Sequence, residues 1–79
     1  VSPTVFKVGG LRFYFFSREE ARMHVHVQSA SGEAKFWLEP EVQLDQSHGL
    51  GAKELKDATR IVEERADEIR SAWRRHFGG

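Results

Sequence analysis

Two histidines one residue apart sit in the run His24-Val25-His26-Val27. Successive side chains of a strand point to opposite faces, so both imidazoles share one side and both valines the other. The run Glu33-Ala34-Lys35-Phe36-Trp37-Leu38 alternates in the same way. Pairing the two with the valines beside Phe36 gathers His24, His26, Glu33, Lys35 and Trp37 on one face. Two imidazoles beside a lysine have the parts for metal-independent cleavage of an RNA phosphodiester. One histidine takes the 2′-hydroxyl proton, the other protonates the leaving oxygen, and Lys35 or Arg12 stabilises the phosphorane; imidazole suits both roles because it titrates near working pH. In that reading His24, His26 and Lys35 are the catalytic set, and Trp37 and Tyr14 supply stacking surfaces for bases. A His-x-His pair also presents two ligands to zinc, copper or nickel, with Glu33, His48 or His76 as a third. Two histidines alternate often by chance, so no metal and no other cofactor is assigned. The plainest reading is a half-exposed strand face bonding its neighbours; an exposed cluster of aromatics and arginine is also the usual composition of an interaction hot spot.

Several elements must position these residues. Thr4 to Val8 and Leu11 to Phe16 are β-prone runs joined by Gly9-Gly10, whose freedom at positive φ suits a tight hairpin turn. In the second run Leu11, Phe13 and Phe15 suit a core, while Arg12, Tyr14 and Phe16 suit the polar-aromatic face. Residues 17–23 are charged and read as an exposed loop with room for one helical turn. The histidine strand covers about 24–29, Ser29 to Gly32 is a small-residue turn, and 33–38 returns. Pro40 ends that strand because it cannot donate to a central ladder. Val42 and Leu44 mark a short fifth strand at a sheet edge, and Ser47 to Leu50 is a connection.

From about residue 51 to 77 the period changes. Leu55, Ala58, Val62, Ala66, Ile69, Trp73 and Phe77 recur every three or four positions, the stripe of an amphipathic helix. Glu54 stands three residues after Gly51, as in a capping box whose capping side chain is missing. A straight helix of this length spans ~39 Å, against ~30 Å for a compact domain of this size. Either the helix breaks near Arg65, or its end, carrying Trp73 and Phe77, overhangs and offers a homodimer or partner contact.

Composition narrows the classes. Seventy-nine residues form a single domain, 1–79, with the sheet over about 4–46 and the helix over about 51–77. A chain this short buries only roughly 60% of its unfolded surface, and nine aromatics supply much of what it buries. There is no cysteine, which excludes disulfides and thiolate chemistry and fits a cytoplasmic protein. No apolar run nears the ~20 residues of a membrane span. Twelve basic and twelve acidic residues cancel, unlike the basic stripe of a stand-alone nucleic-acid binder.

With these residues in view, the chain resembles the small prokaryotic domain-of-unknown-function family 4160. The matching pieces are Pro3-Thr4-Val5-Phe6 leading to Gly9-Gly10, the aromatic run Arg12 to Ser17, His24-Val25-His26-Val27, Gly32 to Pro40, and the long helix ending Ala72-Trp73 and Phe77. Arg22-Met23 stand where the family usually has a proline-containing approach, and Gly51 where a Ser or Asn cap is common. The resemblance implies a small protein partner encoded in the same operon, an arrangement like a toxin–antitoxin pair, and nucleic acid as a further ligand class, with RNA the one the residues suggest.

The expectation is therefore an α+β fold: a small, mostly antiparallel sheet of four to five strands with the C-terminal helix on one face. The other face presents Arg12, Tyr14, His24, His26, Glu33, Lys35 and Trp37. The function expected is a binding module of a two-protein, toxin–antitoxin-like system using that face; the alternative is the ribonuclease.

Overall fold

The computed structural model describes residues 4–16 and 22–78. Its strands are β1 (Thr4–Val8), β2 (Leu11–Tyr14), β3 (His24–Gln28), β4 (Glu33–Trp37) and β5 (Gln43–His48), followed by the helices α1 (Ala52–Glu64) and α2 (Ala66–Phe77). The strands lie in the sheet in chain order, every neighbouring pair antiparallel. This is the expected α+β architecture. The loop expected over residues 17–23 lies mostly outside the described residues; Met23, at its end, is buried.

Register follows the alternation of apolar residues. Phe13 faces Val27, Val25 faces Phe36 and Val27 faces Ala34, so one side of the sheet is a continuous apolar surface. The helices cover it with Ala58, Ile61, Val62, Ala66, Ile69 and Trp73. Phe13, Val25, Val27, Phe36, Leu38, Val62 and Ile69 have essentially no exposed surface. Each such side chain contributes about 1.5–3 kcal/mol relative to exposure, and together they hold a chain of this size.

Two details differ from expectation. The fifth strand is six residues long and runs to His48; Ser47 and His48, expected in a connection, pair with Ala34 and Glu33. A shift of register between Lys35 and Phe36 admits one extra β5 residue, Asp45, which interrupts the alternation that the sequence displays. The helix, by contrast, breaks where length requires. Arg65 leaves helical geometry (φ −113°, ψ 22°), and the longest dimension of the molecule is 34 Å. The Arg65 guanidinium lies 3.6 Å from the centre of the Phe6 ring and donates to both carboxylate oxygens of Glu68, at 2.8 and 2.9 Å. The bend keeps both halves of the stripe on the sheet, and it anchors them to β1.

The β3–β4 turn is locked to the start of α1. A Cβ on Gly32 would lie 2.1 Å from the His48 carbonyl oxygen, and one on Gly49, whose φ is +83°, would lie 2.5 Å from the Ser31 carbonyl oxygen. Glycine is therefore required on both sides of this backbone contact. Ser31 donates its hydroxyl to the Glu54 carboxylate, which also accepts the Gly51 N–H at 3.3 Å. Half of the expected capping box is thus present, and a serine from the hairpin turn is its other partner. At the opposite end of β4, Arg70 donates through Nε (3.0 Å) and Nη2 (2.9 Å) to the Leu38 carbonyl, which ties α2 to the strand end before Pro40.

Gly32→Ala should cost about 1–3 kcal/mol, the usual range for forcing atoms into packed space. Gly10→Ala, with open space around it, should change stability by less than about 0.5 kcal/mol; urea denaturation of the two variants checks both. A second prediction concerns pH. The Ser31 hydroxyl, then the Gly51 N–H, then the Ser29 hydroxyl hold the Glu54 carboxyl below its ordinary value of 4.5. A depressed folded-state pKa contributes stability that is present above the unfolded value and lost as pH falls through the folded one. The stability difference between the parent and Ser31→Ala should therefore be present at pH 7 and shrink below about pH 4.5, read by denaturation across pH.

Candidate functional site

The face of the sheet away from the helices carries the predicted residues in register. Tyr14 pairs with His26, His26 with Lys35, His24 with Trp37 and Arg12 with Gln28; Glu33 pairs with Gln28 and with His48 of β5. Strand alternation alone brings all seven together, but they are not equally accessible.

Cations and rings cover much of this face. The Arg12 guanidinium lies over Tyr14 at 4.4 Å, its Nε donates to the Thr4 hydroxyl at 2.8 Å, and Tyr14 keeps only 7% of its surface exposed. Two cations lie over the Trp37 ring, Arg22 at 4.2 Å and Lys35 at 4.3 Å. Arg22 is held there because its Nε donates to the Glu39 carbonyl at 2.9 Å, and Lys35 meets Asp45 at 3.8 Å. A cation over an aromatic face contributes about 0.5–1 kcal/mol where exposed and ~2 kcal/mol or more where desolvated. Positive charge is thereby fixed on this face of a chain with no net charge.

The two histidines have separate environments. His24 has no exposed surface. Its ring is 5.0 Å from His26, 5.5 Å from Trp37 and 5.2 Å from Trp73, measured between centroids, so α2 reaches it at the end of the sheet. Its Nδ1 lies 2.8 Å from the Arg22 carbonyl; a carbonyl can only accept, so Nδ1 carries the proton. His26 is half-buried, stacked on Tyr14 at 5.5 Å and met edge-on by Phe16 at 4.4 Å. It opens onto a cavity of about 140 Å³ that Tyr14, Phe16, Glu33, Lys35, Gln46 and His48 also line.

Sequence reasoning placed Phe16 on this side by alternation but left it out of the contact set. The short fifth strand expected around Val42 and Leu44 gives Gln46 and His48 no place beside His26; the longer β5 brings both to the cavity. Arg22 was read as part of a loop; nothing in local spacing says that it lies over Trp37. His76, offered as a distant metal ligand, packs on Phe15 and Phe77 instead. Among the described residues no group of three or more histidines and carboxylates converges as a metal site requires.

The site thus belongs to a class of α+β domains in which a five-stranded antiparallel sheet carries two helices on one side and a polar-aromatic surface on the other. The chain is a member of the family described as Domain of unknown function (DUF4160), whose model matches residues 10–74. No curated protein and no solved structure matches it significantly. No helix among the described residues is long and apolar enough to cross a membrane.

His24→Ala should cost about 2–5 kcal/mol, as for other large buried side chains. His48→Ala, at an exposed strand end, should fall within about 0.5 kcal/mol of the parent. Thermal denaturation separates the two, at roughly 4–8 °C per kcal/mol for a domain of this length.

Proposed function

We propose that this chain is a small binding and regulatory module of a two-protein, toxin–antitoxin-like system in a prokaryotic cytoplasm. It meets the small protein encoded beside it through the sheet face of Arg12, Tyr14, His26, Glu33, Lys35 and Trp37. The observation that carries the reading is the half-buried Trp37 with two cations over its ring. Aromatic and arginine side chains dominate interaction hot spots because they combine large desolvated area with directed polar contacts. Here they lie on the face that the helices leave uncovered, and they are already ordered, which lowers the entropy lost on association. The neutral charge of the chain favours a protein partner over a nucleic-acid backbone as the main contact.

The ribonuclease reading needs both His24 and His26 at one phosphodiester. His24 is wholly buried and its Nδ1 proton is engaged by a carbonyl, so the geometry supports binding better than cleavage. A homodimer through the end of α2 draws little support, because Trp73 is buried within the chain against Phe15, His24 and Phe77.

Titration calorimetry against the protein encoded next door tests the proposal. Arg12→Ala and Trp37→Ala should each weaken binding by at least roughly 30-fold, the hot-spot threshold of about 2 kcal/mol, with melting followed to confirm that both variants fold. Parent-like affinity in both variants would remove this face from the interface.

A further inference from the structure

We infer that this chain exchanges α2 with a second copy of itself by straightening at Arg65. In the resulting dimer each sheet keeps its own α1 and receives the α2 of the other copy. This goes beyond the interface proposed above, which lies on the other face of the sheet and does not depend on the exchange. It also differs from an overhanging helix end, because Trp73 stays buried in both forms.

The hinge is a single residue. Arg65 alone separates α1 from α2, and helical hydrogen bonds reach it from both sides. Its N–H donates to the Ile61 carbonyl at 2.9 Å, and its carbonyl accepts from the Ile69 N–H at 3.0 Å. The apolar stripe keeps its spacing of three or four across the break, through Val62, Ala66 and Ile69, so it would also form one face of a continuous helix. Local sequence favours that continuity. Sharp breaks usually occur at proline, at glycine or at an inserted group, whereas Glu63, Glu64, Arg65 and Ala66 are all good helix formers. What bends the chain is tertiary. The straight helix of ~39 Å is longer than the molecule, at 34 Å, and the Arg65 guanidinium is seated on Phe6 at 3.6 Å. Exchange removes this conflict between local preference and packing. The contacts that hold α2 run to the sheet and its strand ends: Trp73 to Phe15 at 5.4 Å and to His24 at 5.2 Å, Phe77 to Phe15 at 5.9 Å, and Arg70 to the Leu38 carbonyl at 3.0 and 2.9 Å. A second copy offers the same partners, so the exchanged form gives up only the contacts beside the hinge. Opening a short hinge in this way is a low-cost route to a dimer. The functional consequence is valence: the exchanged form carries two polar-aromatic faces on one particle.

Sedimentation of the parent chain, refolded from urea across a concentration series, tests the inference beside Arg65→Ala and Arg65→Gly. Both substitutions remove the contacts of the guanidinium with Phe6 and Glu68, and they differ in how well they continue a helix. The parent should form a dimer as its concentration rises toward millimolar. Arg65→Ala should dimerise more tightly than the parent. It should also exceed Arg65→Gly by roughly 15- to 30-fold, the alanine–glycine difference in helix propensity applied at each of two hinges. Dimer refolded from a mixture of isotope-labelled and unlabelled chains should show isotope-filtered nuclear Overhauser contacts between Trp73 of one copy and Phe15 of the other. The parent dimer and its filtered spectrum decide the matter even where a variant fails to fold. A parent that stays monomeric at millimolar concentration, a dimer without those contacts between copies, or equal dimerisation of the two folded variants overturns the inference. Because no other protein is present, none of these outcomes depends on the interface proposed above.

Discussion

A sheet covered by helices on one side has to solve the exposure of its other side, and much of this molecule follows from how that is done. Strand alternation puts Phe13, Val25, Val27 and Phe36 under α1 and α2, and it necessarily puts Tyr14, His26, Lys35 and Trp37 opposite. A bare aromatic surface there would be an aggregation hazard. The chain instead lays cations over the rings: Arg12 on Tyr14, Arg22 and Lys35 on Trp37. The charged heads themselves lie over the ring faces, where ring and cation attract each other. In the proposed binding reading, this layer of cations and rings is what a partner would cover.

The same face depends on fixed strand ends. Arg22 reaches Trp37 because the Glu39 carbonyl holds its Nε, and the Met23 N–H donates to the Glu39 carboxylate at 2.8 Å. At the other end of β4, Gly32 and Gly49 allow β5 and the hairpin turn to touch through backbone. That contact places Gln46 and His48 beside Glu33 and Lys35. Support from residues remote from the pocket is thus part of its geometry.

Much of this was legible in the sequence, and for definable reasons. The period-two patterns of β2, β3 and β4 are visible because one face of each strand is apolar, so the sides of Arg12, His26 and Trp37 could be read directly. The helix break near Arg65 was one of the two outcomes that length allowed, the other being an overhanging end, and no glycine or proline marks it. The full extent of β5 was hidden because an edge strand is largely exposed and the extra residue at Asp45 interrupts its alternation. The burial of His24 was hidden for a different reason. Its position on β3 says which side it occupies, but the covering ring, Trp73, comes from a helix about fifty residues away, and no local pattern encodes that contact.

The central claim is that the polar-aromatic face of the sheet is the interface. The most direct measurement is hydrogen–deuterium exchange of the chain with and without the protein encoded beside it. The account predicts slowed exchange in the segments containing Arg12 to Phe16, His24 to Gln28 and Glu33 to Trp37, with α1 and the outer turns of α2 unchanged. Protection confined to the helices, with β2, β3 and β4 unaffected, would contradict it.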